Sequence, residues 1–181
     1  SYGTIPVEIS KGQDLYTLLT SAFLHAGWMH VIGNMLFLWI FADNIEAIIG
    51  SKLFLLYYLI GGIFASAIHV LSDPIAVTPA VGASGAISAV LGSYLVMFPR
   101  SRVRLFFILF FSKFELPAIV FLGIWFIQQL ASGISAPATE QAQSVAWWAH
   151  IGGFVYGFIS GLFIKNQFGH LYSYGEPDAK T

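Results

Sequence analysis

The chain contains no cysteine, which excludes disulfides and thiolate chemistry and says nothing about the compartment. Charge is nearly as scarce: Asp, Glu, Lys and Arg make up 9% of the 181 residues, against about 25% in an ordinary soluble domain. So few charges cannot clothe a solvated surface. The formal net charge of -1 offers no basic patch, so no nucleic-acid partner is expected. No basic n-region leading into an apolar core opens the chain, which leaves no signal peptide to read. No internal repeat is visible, and no cofactor or metal is called for.

Apolar residues take the place of charge: 57% of the chain is hydrophobic and 17% aromatic, and the mean hydropathy is +0.76. Several runs approach the roughly 20 residues needed to cross about 30 Å of hydrocarbon. In lipid the backbone must satisfy its own polar groups, so each run is read as a helix. The expected fold class is all-α, a polytopic membrane helix bundle. Five spans are expected, at Trp28 to Ile49, Leu53 to Leu71, Ser84 to Phe98, Pro117 to Leu130 and Trp147 to Ile164. Residues 1–27 then form an outer loop segment, 28–165 the membrane core and 166–181 a polar C-terminal tail. The run Leu105 to Phe111 is either interfacial or an extension of the fourth span; Lys113 and Glu115 would be costly at mid-depth, which favours the interface.

Basic residues set the orientation, because Lys and Arg collect in cytoplasmic loops. Lys52, Arg100, Arg102, Arg104, Lys113, Lys165 and Lys180 fall on one side of the five-span arrangement, and only Lys11 on the other. The N-terminal segment is therefore expected outside. A further span upstream would reconcile that with the lack of a signal. The corresponding localisation is a multi-pass protein of a bacterial inner membrane, with its site opening outward.

Helix rise converts sequence separation into depth, at about 1.5 Å per residue. Ser84 precedes Arg100 by 16 residues, which is about 24 Å; His150 precedes Lys165 by 15, about 22 Å; Asn34 precedes Gly50 by 16, again about 24 Å. Three polar side chains on three parallel spans thus share one level. The third span is too short to cross alone, so its N-terminus starts inside the membrane, where free N–H groups and the helix dipole would stabilise an oxyanion. Gly82 and Gly85 in "VGASGAISAVLG" permit a tight entry and close approach of a neighbour. Gly153, Gly157 and Gly161 on the last span, with Gly85, Ala89 and Ser88, Gly92 on the third, form the small-residue pattern of closely packed membrane helices. Their contact would bring Ser84 to His150, a nucleophile beside a base. Asp43 lies about 13 Å deeper than Asn34 by the same rise, and Asp73 and Glu140 are in outer loops, so a dyad is expected rather than a triad.

The segments "TSAFLHAGWMHVIGNMLFLWIFADNIE", "GASGA" and "WWAHIGGFVYG" together resemble the rhomboid intramembrane serine proteases over most of the chain. The resemblance implies an endopeptidase that cleaves single-pass transmembrane proteins in the bilayer, with Ser84 as nucleophile and His150 as its base. It further implies that His30 and Asn34 help the Ser84 backbone N–H hold the oxyanion, and that His25 supports the outer loop. Two departures stand out. The family's first helix, which normally precedes a segment resembling "SYGTIPVEI", is expected to lie outside this sequence, and position 88, where some members place an aromatic ring against the catalytic histidine, is Ser88. That ring is therefore expected to be supported differently. The alternative function is a non-catalytic relative that binds transmembrane helices; a transporter using His25, His30, His69 and His150 fits less well, because the lower halves of the spans carry few polar groups besides Asp43. His69 is read as interfacial and His170 is assigned no role.

Overall fold

The computed structural model describes residues 2–107, 112–135 and 145–168. Glu140, His170, Lys180 and most of the expected polar tail lie outside the described residues. Among the described residues ten elements follow one another: α1 (Pro6–Ser10), α2 (Thr17–Thr20), a 3-10 turn (Ser21–Phe23), α3 (Trp28–Ile49), α4 (Ser51–Ser72), α5 (Ser84–Met97), β1 (Arg102–Phe107), β2 (Ser112–Pro117), α6 (Ala118–Ser135) and α7 (Trp147–Phe168). Four of them, α3, α4, α6 and α7, are long and apolar enough to cross a membrane. Their outward faces carry large apolar side chains such as Trp39, Ile127 and Phe163, as a lipid-facing helix requires. The protein is a multi-pass membrane bundle.

The fifth apolar helix, α5, lies at the centre. Its 14 residues span only about 21 Å, and every one except Ser84 and Leu95 is buried. Water gives no driving force for association between helices in lipid, so close packing and interhelical hydrogen bonds must supply it. Both are present. The carbonyl of Gly85 fills the position a Cβ on Gly153 would take, the Ala89 carbonyl does the same at Gly157, and the Phe154 carbonyl at Gly92. Backbone therefore meets backbone along the α5–α7 seam. Ser93 Oγ donates to the Gly157 carbonyl at 2.7 Å. The Tyr57 hydroxyl from α4 donates to the Ala89 carbonyl at 2.6 Å and lies 2.7 Å from Ser93 Oγ. Lys165 Nζ donates to the Val96 carbonyl at 3.0 Å near the far end of α5.

The N-terminal segment is more ordered than a plain loop. Thr4 and Ala80 exchange backbone hydrogen bonds at 3.0 and 2.8 Å, and buried Thr4 Oγ1 donates to the Thr17 carbonyl at 2.8 Å. The Gly82 N–H then donates to the Ser21 carbonyl at 2.9 Å. The chain entering α5 is thus strapped to the N-terminal segment from two sides.

The segment between the third and fourth spans is not an extension of the fourth span. Residues 102–107 and 112–117 form an antiparallel hairpin, with Arg104 opposite Glu115. Arg102, Arg104, Lys113 and Glu115 alternate with Val103, Leu105, Phe114 and Leu116, a period-two pattern that suits a strand. Arg104 pairs with Glu115 at 2.8 Å and Arg102 reaches the same carboxylate at 3.5 Å. Glu115 is therefore partnered on the exposed surface of this strand pair.

Candidate active site

Ser84 stands in the first turn of α5. Ala83 is its N-cap, and the first helical bond runs from the Ile87 N–H to the Ala83 carbonyl at 2.9 Å. The N–H groups of the first turn, that of Ser84 included, have no acceptor within their own helix. His150 occupies the first turn of α7, where its N–H donates to the Ala146 carbonyl at 3.2 Å. Because glycines let α5 and α7 touch along their backbones, the two side chains meet. His150 Nε2 lies 2.8 Å from Ser84 Oγ.

His30 approaches from α3. Its Cε1 and Nε2 lie 2.8 and 2.9 Å from the point where a Cβ on Gly82 would stand, and Ser84 Oγ is 3.6 Å from that point. Only a residue without a side chain leaves room for the ring. Gly82 also has φ +128°, a backbone conformation that disfavours every other residue. The Ala26 N–H donates to His30 Nδ1 at 3.3 Å. An acceptor nitrogen carries no hydrogen, so the neutral ring holds its proton on Nε2 and presents it towards Gly82 and Ser84. His25 packs edge-on against the His30 ring with centroids 5.1 Å apart. Burial, and then the neighbouring His30, push the His25 pKa below the ordinary imidazole value and favour its neutral form.

Asn34 follows His30 by one helical turn on the same face of α3. It is buried, and its Nδ2 has no hydrogen-bond partner among the described residues. An unpaired buried donor is costly unless something else accepts from it. Gly85 stands apart from this cluster. A Cβ there would meet Ala65 at 2.7 Å and Ala149 at 3.8 Å, so this glycine serves helix packing.

Two contributors, both on α6, were missed in the sequence: Gln129 and Trp125. Gln129 on α6 places Oε1 2.8 Å from His150 Nδ1. Trp125, one turn earlier on α6, lies 6.1 Å from the His150 ring at 37°, and Trp147 meets the same ring edge-on at 6.1 Å. Ser88, in contrast, turns its hydroxyl back to the Ser84 carbonyl at 2.6 Å. The ring is supported from α6 and α7, with nothing from position 88. The adjacent pair Gln128, Gln129 was the available signal: a polar side chain within an apolar span is expected to face the bundle interior. His69 is half-buried near the C-terminal end of α4 and its Nδ1 has no partner among the described residues. Among the described residues no group of three His, Asp or Glu side chains converges to hold a metal ion.

The sequence matches the Rhomboid domain family over residues 12–167. It is 30% identical over 155 residues to yeast "Rhomboid protein 1, mitochondrial", covering 82% of this chain and 42% of that protein. Against Arabidopsis thaliana "RHOMBOID-like protein 12, mitochondrial" the identity is 30% over 166 residues, covering 82% and 46%. "RHOMBOID-like protein 1" of the same plant is 31% identical over 176 residues, covering 93% of this chain and 41% of the relative. The chain thus spans less than half the length of these curated relatives.

Proposed function

The chain belongs to the rhomboid family, and from that premise and the contact between Ser84 and His150 we propose that it is a serine endopeptidase that cuts single-pass transmembrane proteins within the bilayer. The observation that carries the proposal is the 2.8 Å separation of Ser84 Oγ from His150 Nε2. At that distance the imidazole takes the hydroxyl proton as the oxygen attacks a scissile carbonyl. The tetrahedral oxyanion then needs donors aimed at it before it forms. Three are at hand: the Ser84 backbone N–H at the start of α5, the Nε2–H of His30, and the unpartnered Nδ2 of Asn34. His150 next returns its proton to the leaving amine, and water from the outer side hydrolyses the acyl-enzyme.

A substrate helix keeps its carbonyls in its own hydrogen bonds, so it must unwind near the cut. Small or helix-breaking residues at that point are therefore expected. The relatives named above carry mitochondrial names or come from a plant, so the proposal concerns the side of the membrane on which the site opens, away from the arginine-bearing hairpin, and not an organelle.

The test is cleavage of a single-pass reporter co-reconstituted in liposomes with the full-length gene product. Wild type should release a fragment, while Ser84→Ala and His150→Ala should not. Capture of the reporter without cleavage by folded wild type would favour the non-catalytic helix-binding alternative.

A further inference from the structure

Gln129 faces the one ring nitrogen of His150 that Ser84 leaves unused. It is 4% exposed, and its Oε1 lies 2.8 Å from Nδ1. An amide oxygen only accepts, so this bond exists only when Nδ1 carries a hydrogen. The neutral ring then has its lone pair on Nε2, the nitrogen 2.8 Å from Ser84 Oγ. In the other tautomer Nε2 would carry hydrogen, could not accept the serine proton, and would leave the Gln129 oxygen without a donor.

We propose that Gln129 is a positioning residue which fixes the Nδ1–H tautomer of His150, so that α6 supplies the third member of the site. The inference rests on the reading of Ser84 and His150 as the hydrolytic pair. A second observation supports it independently. Trp125 packs on the same ring from one turn away on α6, while Ser88 on α5 is engaged with its own helix and gives the ring nothing. The tautomer of the base is thus set from α6, and its ring is held between Trp125 of α6 and Trp147 of α7. The amide does what a carboxylate does in a triad, with one difference: it is neutral, so it orients the ring without stabilising the imidazolium by a full charge. The other titratable groups near His150 are His30 on α3 and His69 on α4.

Two variants and one spectroscopic measurement test this on the full-length protein. Gln129→Leu keeps the volume and removes the acceptor; kcat should fall about 10- to 100-fold, with KM within about threefold because no substrate contact is lost. Gln129→Glu restores an acceptor and adds a charge; it should recover most of that loss and move the acid limb of kcat/KM to higher pH by about one unit. Selective ¹⁵N labelling of histidine should show the proton of neutral His150 on Nδ1 in wild type, with Nε2–H appearing in Gln129→Leu. Wild-type kcat in Gln129→Leu, or equal losses in both variants with unchanged pH profiles, would overturn the proposal. So would an Nε2–H tautomer in wild type. The tautomer measurement needs no turnover, so a wild-type protein that shows Nδ1–H yet cleaves nothing would count against the protease reading and leave the role of Gln129 standing.

Discussion

The carbonyl of Gly85 occupies the space that a Cβ on Gly153 would need. That contact brings the first turns of α5 and α7 together, and the approach of Ser84 to His150 depends on it. Gly153→Ala must push the helices apart along a seam where backbone already touches backbone. Overpacking of this kind typically costs about 1–3 kcal/mol, and a displacement near 1 Å can lower a rate about 100-fold. Thermal unfolding in detergent should show the stability loss, and reporter cleavage should show a larger proportional loss of activity.

Gly82 carries two demands at once, a φ of +128° and room for the His30 ring. Gly82→Ala is expected to lower stability by roughly 1–3 kcal/mol through backbone strain. It should also reduce cleavage on the order of 10- to 100-fold by displacing His30. The companion variant Gly12→Ala also substitutes a glycine of positive φ, but with nothing within 4 Å of the new Cβ. It should lower stability and leave the specific activity of the folded protein unchanged.

Asn34 separates a role in folding from a role in chemistry. Its buried Nδ2 has no partner among the described residues, so Asn34→Leu removes an unsatisfied donor and should leave stability equal or raise it by about 1 kcal/mol. If that donor serves the oxyanion, kcat should nevertheless fall by about 10²–10³. Parallel losses of stability and activity would instead mark Asn34 as interhelical glue.

The hairpin supplies a contrast. Glu115 pairs with Arg102 and Arg104 on an exposed surface, and exposed pairs contribute at most about 1 kcal/mol. Glu115→Ala should change the unfolding midpoint little and leave reporter cleavage at the wild-type rate.

Much of this arrangement was legible in the sequence because lipid imposes strong rules. Apolar length placed α3, α4 and α7 within a few residues, and α3 came out at Trp28–Ile49 on both counts. Glycine spacing on α5 and α7 pointed to their seam, and helix rise put Ser84 level with His150. The antiparallel pair of 102–107 and 112–117 was hidden by its apolar content, although its charges alternate with period two. Gln129 was hidden for a different reason. The group that orients such a histidine is most often a carboxylate, and which face α6 turns inward depends on a helix rotation that an apolar sequence leaves nearly free. The role of Gly82 as a seat for the His30 ring required coordinates, since no spacing rule links residues 30 and 82.

The most direct measurement is mass spectrometry of the full-length protein after exposure to a fluorophosphonate, which reacts with a serine only when a neighbouring base takes its proton. One adduct on Ser84, lost in His150→Ala, is the expected result. An unlabelled Ser84 in folded wild-type protein, or labelling that persists undiminished without His150, would contradict the pairing.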